Sequence, residues 1–307
     1  MVVLGALAGY LLFGAAGALG AGAVLVNLFT PLPASMLGMR LGPVWAVVTV
    51  GLTAVAVLLT SGVGAALIFA LQFGLPATMI PWLLTRETAW DRAIVATLGL
   101  MLGLGLLALA AFASSSGQSA FSLADSLVDQ EIRQAVAMME EFSTGSEQPP
   151  AEVEAFREAI AGMGELMRRI YPGMLVAVGG ALQLATVGLL ALLLRPRVLP
   201  GPAFSRWRAP ELLIWALIAA GFVAAFSTGA IQTVAFNLLV VLLPIYFLQG
   251  LAVVEYFFTR KGLSPLWRGL TYLLLLVVNP LPLIVTGVGI FDLWADFRKK
   301  RINNEQL

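Results

Sequence analysis

Apolar residues run along this chain in long, nearly unbroken stretches. They read as spans at 2–19, 21–38, 42–60, 63–84 and 90–113, then at 172–194, 210–228 and 231–259, with a last stretch near 266–292. Most reach or approach the roughly 20 residues that a helix needs to cross a bilayer. The runs are continuous and lack the two-residue alternation of a barrel strand, so helices are the predicted spanning form. Prolyl motifs punctuate them. Pro31-Leu32-Pro33 and the pair Pro76 and Pro81 can kink or end helices, and Asn279-Pro280-Leu281-Pro282 divides the last stretch into two predicted half-helices. Pro244 is a further candidate break, so the expected count is eight to ten spans or half-spans.

The polar interval at 114–170 has its own period. Val128, Ile132, Ala135, Met139 and Phe142 step by 4, 3, 4, 3, and Val153, Phe156, Ile160, Met163, Met167 and Ile170 step by 3, 4, 3, 4, 3. Both are seams of helices packed at small crossing angles. The turn-forming run STGSEQPP lies between them, Pro150 suits a first helical position, and Ser122 with Asp125 suits a cap. A helical hairpin is predicted. The expected organisation is therefore an all-α, polytopic helical bundle. N-terminal membrane helices occupy 1–113, an extracytoplasmic helical hairpin 114–170, C-terminal membrane helices 171–297 and a basic cytoplasmic tail 298–307.

Composition agrees with a membrane solvent: 60% of residues are hydrophobic, 11% are charged, and mean hydropathy is +0.93. The net charge of +1 says little, but the distribution of charge says more. The interval 114–170 carries 10 acidic residues and 4 arginines, whereas the remainder carries 7 acidic and 14 basic residues. Arg40, Arg86, Arg92, Arg195, Arg197, Arg206, Arg208, Arg260, Lys261, Arg268 and the tail Arg298–Arg301 mark the short loops expected on the cytoplasmic side. Both termini are then cytoplasmic in a bacterial inner membrane, and the acidic hairpin lies outside. The first span lacks the basic leader of a cleavable signal peptide.

There is no Cys and no His, so no thiol or imidazole chemistry is available and no Ser–His or Cys–His pair exists. No phosphate-binding loop and no basic nucleic-acid-binding face is present. An enzyme, a cofactor, a bound metal and a nucleic-acid partner are all unexpected. The candidate ligand-binding groups are polar residues inside spans: Gln72, Gln183, Asn237, Gln249 and Glu255, with Asn27 and Gln232 as further polar positions. Such groups bond neighbouring helices or serve a ligand, and ionisable ones are costly in lipid. Asp292 and Asp296 share a helix face among Phe291, Trp294 and Phe297, which fits an interfacial anchor or a functional acid at Asp292. On the first span, Gly5 with Gly9 and Gly14 with Ala18 form small-residue pairs four apart, suited to internal packing or to docking a partner helix.

The segments PIYFLQGLAVVEYFFTRKGLS (244–264), GIFDLWADFRKK (289–300) and TPLPASMLGMRLG (30–42) resemble the YybS-like bacterial membrane family, also called domain of unknown function 2232. The terminal pattern is carried by Gly289, Phe291, Asp292, Trp294, Phe297 and Arg298. The resemblance implies a distant relationship to the substrate-binding subunits of energy-coupling-factor transporters. Those are compact six-helix proteins that bind vitamins or related small molecules. They dock through small-residue faces of the first helix onto a membrane coupling subunit with two ATPases. This chain departs from them in its larger number of spans and in the 114–170 insert. The expectation is a transport protein binding a small molecule or lipid-like ligand, with a coupling subunit and ATPases as partners. The alternative is a non-transporting scaffold or assembly factor that uses the outer hairpin. Bulk membrane lipid is a partner in either case, and a homodimer is left open.

Overall fold

The computed structural model describes residues 1–18, 23–117, 150–194 and 199–299, with positions 119, 122, 125, 126, 128–130 and 133 between the second and third of these. Among the described residues the ordered structure is helical. It divides into two units, Met1–Glu131 with Val178–Gly201, and Ile132–Ala177 with Pro202–Leu307. Four helices are long and apolar enough to cross a membrane: Pro43–Thr85, Trp90–Ser115, Gly162–Leu193 and Gly229–Arg260.

In the first unit, α1 (Val2–Ala18), α2 (Ala23–Asn27), α3 (Leu32–Leu41), α4 (Pro43–Phe69), α5 (Leu75–Thr85) and α6 (Trp90–Ser116) are joined by the last part of α7 (Pro150–Leu193). The long apolar run at 43–85 is not one straight rod. Gly62 has φ 83°, a conformation that L side chains avoid, and the helix folds back there. A Cβ built on Gly74 would lie 2.7 Å from Val50, although a straight helix would hold these residues about 36 Å apart. The division between 42–60 and 63–84 therefore stands, with Gly62 as its turn.

The run at 21–38 is not one continuous helix. It stops at Asn27, turns through 28–31 and restarts at Leu32, because Pro31 and Pro33 remove the N–H groups that would continue it. Gly5 of α1 faces Leu37 and Thr49, and Gly38 faces Ala46 and Pro81, so the start of α1, the end of α3, the start of α4 and the end of α5 share one end of the unit. Arg40, Arg86 and Arg92 are at that end. Two apolar clusters fill the interior. One gathers Leu32, Ile80, Leu84, Ala93, Val187 and Leu190, and the other Val57, Phe69, Phe73 and Leu182 with Leu28 packed against it.

In the second unit, α8 (Leu212–Phe226) and α9 (Gly229–Arg260) form an antiparallel pair, followed by α10 (Pro265–Val277) and α11 (Leu281–Ala295). Pro244 lies inside an unbroken α9, so the break allowed there does not occur. The break expected at 279–282 does: α10 and α11 meet at 102°. At 13 and 15 residues each rises only about 20 Å, less than the hydrocarbon core. α11 ends beside residues 205–209, next to the start of α8, so the pair enters and leaves at one end. α11 crosses α9 with backbone against backbone. A Cβ on Gly250 would overlap the Val285 carbonyl, and one on Gly289 would overlap the Tyr246 carbonyl. Only glycine at both positions permits this approach.

The predicted outer hairpin is described in part. Its second arm is helical from Pro150, as Pro150 suggested, and continues as α7 without interruption. Most of its first arm and the turn at 143–149 lie outside the described residues, as do Arg195, Arg197 and the tail from residue 300 onward. The backbone N–H of Ser122 donates to Ser119 Oγ at 3.0 Å, a capping bond one turn before the Ser122–Asp125 position.

Candidate functional site

Gln183 stands out in the first unit. It is 0% exposed, and neither its Oε1 nor its Nε2 has a hydrogen-bond partner. An amide in that state costs several kcal/mol, roughly 2–7 by transfer measurements, unless something supplies the missing bonds. Two more orphaned atoms belong to the turn that breaks the 21–38 run. Asn27 Oδ1 and Thr30 Oγ1 are buried without partners. The turn is flanked by Leu28 and Leu32, and Gln183 by Leu182 and Val187. Leu28 and Leu182 belong with one apolar cluster, and Leu32 and Val187 with the other. Each of these two stretches thus has an apolar neighbour in either cluster. Gln72 occupies a single π-helical turn, Ala70–Gly74, and is exposed.

The second unit holds an ionic centre. Asp292 is 0% exposed. Its Oδ2 accepts from Arg298 Nη2 at 2.5 Å and from Gln249 Nε2 at 3.4 Å, and Arg208 Nε lies 4.0 Å away. Arg208 also pairs with Asp296. Arg298 Nη1 donates to the carbonyls of Ser205 and Trp207 at 3.2 and 2.8 Å, and Gln249 Oε1 accepts from the Ala209 N–H at 3.0 Å. Asp292 is thus the buried member of the carboxylate pair, and Asp296 is the half-exposed one. The network ties the end of α11 to the 205–209 segment. Asp292 Oδ1, Arg298 Nε and the Tyr246 hydroxyl remain buried without partners.

Glu255 belongs to a separate group, consistent with its six-residue spacing from Gln249. Its Oε1 accepts from Arg268 Nη1 at 2.7 Å and its Oε2 from the Tyr272 hydroxyl at 2.6 Å, joining α9 to α10. Asn237 is fully engaged by a helix. Pro172 interrupts the ladder of α7, and Asn237 enters the gap. Its Oδ1 accepts from the Gly173 N–H at 2.6 Å, and its Nδ2 donates to the Arg169 and Thr233 carbonyls at 2.6 and 2.8 Å. Gln232 Nε2 donates to the Ala224 carbonyl.

The small residues of α1 divide. Gly5 faces Leu37 and Thr49, and Gly9 faces Thr53, whose hydroxyl donates to the Ala6 carbonyl at 3.2 Å. Gly14 meets nothing within 4 Å. Ala18 ends α1, and its side chain lies outside the described residues. Among the described residues no group of three or more carboxylates could hold a metal ion.

The family described as predicted membrane protein (DUF2232) matches residues 8–293. The chain belongs to this family. The match takes in both units, the turn at 28–31, Gln183 and Asp292, and it ends before Arg298. No curated protein and no solved structure matches the chain. Within this DUF2232 protein, Arg298 is the nearest basic neighbour of Asp292 along the chain, but the distant partners were hidden from sequence reasoning. Arg208 is 84 positions away, and no local pattern links a loop arginine to a terminal helix. Thr30 also went unnoticed, because a threonine ordinarily satisfies itself on its own helix; the signal was its position immediately before Pro31.

Proposed function

We propose that this membrane protein binds a small molecule with an apolar body, or a lipid-like one, and serves as the substrate-binding component of a transport system. The observation that supports this most is Gln183, an amide buried in a membrane-crossing helix with all its hydrogen-bonding capacity unused, in a unit that also holds a broken helix. Interrupted helices in lipid are tolerated where their polar groups meet a cavity or a ligand, and transporters place binding sites there. Gln72, Asn237, Gln249 and Glu255 have weaker claims as ligand groups. Gln72 is exposed, and the other three carry helix-to-helix bonds.

Movement of the ligand would require a separate energy source, and a coupling membrane subunit with ATPases fits that need. Gly5 and Gly9 are occupied inside the unit, so on α1 such a partner would meet the outward stripe Leu7, Leu11 and Gly14. Affinity purification from native membranes in mild detergent, followed by mass spectrometry of proteins and extracted small molecules, tests the reading. Co-purification of ATPases or of one enriched metabolite is the expected result. Recovery of a non-transport partner with ordinary bulk lipid would favour the scaffold alternative.

A further inference from the structure

The orphaned polar atoms of the first unit, those of Gln183 foremost, specify a ligand chemistry. The other polar side chains buried in the first unit are satisfied within it. Ser35 donates to the Ala77 carbonyl, and Thr49, Thr53, Thr97 and Thr186 donate to carbonyls four residues back. What remains is one amide with both a donor and an acceptor (Gln183), one carbonyl oxygen (Asn27) and one hydroxyl (Thr30). No charged side chain of this unit is buried among the described residues.

Resting on the binding reading above, we propose that this site takes an electrically neutral molecule presenting an adjacent N–H and C=O, the edge of a lactam or secondary amide, on an otherwise apolar body. The Gln183 amide offers Nε2–H and Oε1 side by side, which complements such an edge with two parallel hydrogen bonds. A carboxylate or phosphate would face the Gln183 amide oxygen with no buried cation among the described residues of this unit to balance it. An ammonium group would find no buried carboxylate among them. Either charge would be desolvated without compensation, which the neutral edge avoids. The apolar body would pack against Leu182 and Val187, which flank Gln183 along α7 and belong to the two apolar clusters.

The test uses the full-length chain in detergent and saturation-transfer NMR with three probes. These are 2-pyridone, which carries the N–H/C=O edge, N-methyl-2-pyridone, which lacks the donor, and picolinate, which carries a negative charge. The wild type is compared with Gln183→Met, which keeps side-chain length without hydrogen bonds, and with Gln183→Glu, which keeps shape and an acceptor. Retained helicity and a single gel-filtration peak qualify each variant. The expected result is a 2-pyridone signal in the wild type that Gln183→Met abolishes, with N-methyl-2-pyridone binding about ten-fold more weakly or less. A 2-pyridone signal that is missing, or that does not depend on Gln183, overturns the proposed class. If picolinate then gives a Gln183-dependent signal, the binding reading survives with a charged ligand. If no probe does, and small-molecule extracts of wild type and Gln183→Met from native membranes match, the binding reading fails as well.

Discussion

Asp292 and Asp296 are one helical turn apart, yet their surroundings differ. Asp292 is enclosed and holds Arg298, whereas Asp296 meets Arg208 with both side chains more than a third exposed. Removing one partner of a buried pair strands the other charge. Asp292→Ala is therefore expected to cost about 3–5 kcal/mol of unfolding stability in detergent. Asp296→Ala should cost no more than about 1 kcal/mol, because an exposed pair is screened by water. Thermal or denaturant unfolding of the two variants checks the contrast, and equal losses would contradict it. The sequence marked both acids, placed the candidate functional one nearer the core and had Arg298 close by. It could not reveal that Asp292 is supported by a glutamine 43 residues away or that Arg208 lies 4.0 Å from it.

At the scale of elements, the glycines of the α9–α11 crossing make a sharp case. Gly289→Ala places a methyl group into the Tyr246 backbone carbonyl and should abolish recovery of folded protein, whereas Gly287→Ala meets nothing within 4 Å and should be tolerated. Yield and gel-filtration profile compare the two. Asn237 is a second case, since it replaces a missing rung of α7 near Pro172. Asn237→Ala leaves the Gly173 N–H and the Arg169 carbonyl to find new partners and should cost about 1–3 kcal/mol. Full stability in that variant would mean the bridge is idle. Most helices were legible as apolar runs, and the breaks at 31–33 and 280–282 as prolines. Pro244 misled because a membrane helix can carry a proline without ending, its neighbours covering the freed carbonyl. The glycine pair at 250 and 289 was invisible as a contact, since nothing local tells one interior glycine from another.

For the whole molecule, the geometry within each unit agrees with the basic loops. Arg40 and Arg86 share one end of the first unit, and α10 begins at the end of the second unit where α11 finishes. The chain contains no Cys, so single cysteines introduced at Arg40, Arg86, Lys261 and Lys299 report sidedness directly. All four are expected to react with an impermeant maleimide from the cytoplasmic face alone. Reaction of Lys261→Cys and Lys299→Cys from opposite faces would contradict the re-entrant pair. Sequence carried the order of the apolar helices well, because lipid imposes a strong apolar signal. It carried the polar interior poorly, because whether an amide bonds a helix or stands open depends on packing between distant segments.

Ligand binding at Gln183 is the central claim, and one comparison tests it most directly. Wild type and Gln183→Met are purified in parallel from native membranes, and the small molecules released on denaturation are quantified by mass spectrometry. The account predicts one species at near-stoichiometric amount in the wild type and at least about ten-fold depleted in the variant. Indistinguishable extracts from two equally well-folded preparations would contradict it.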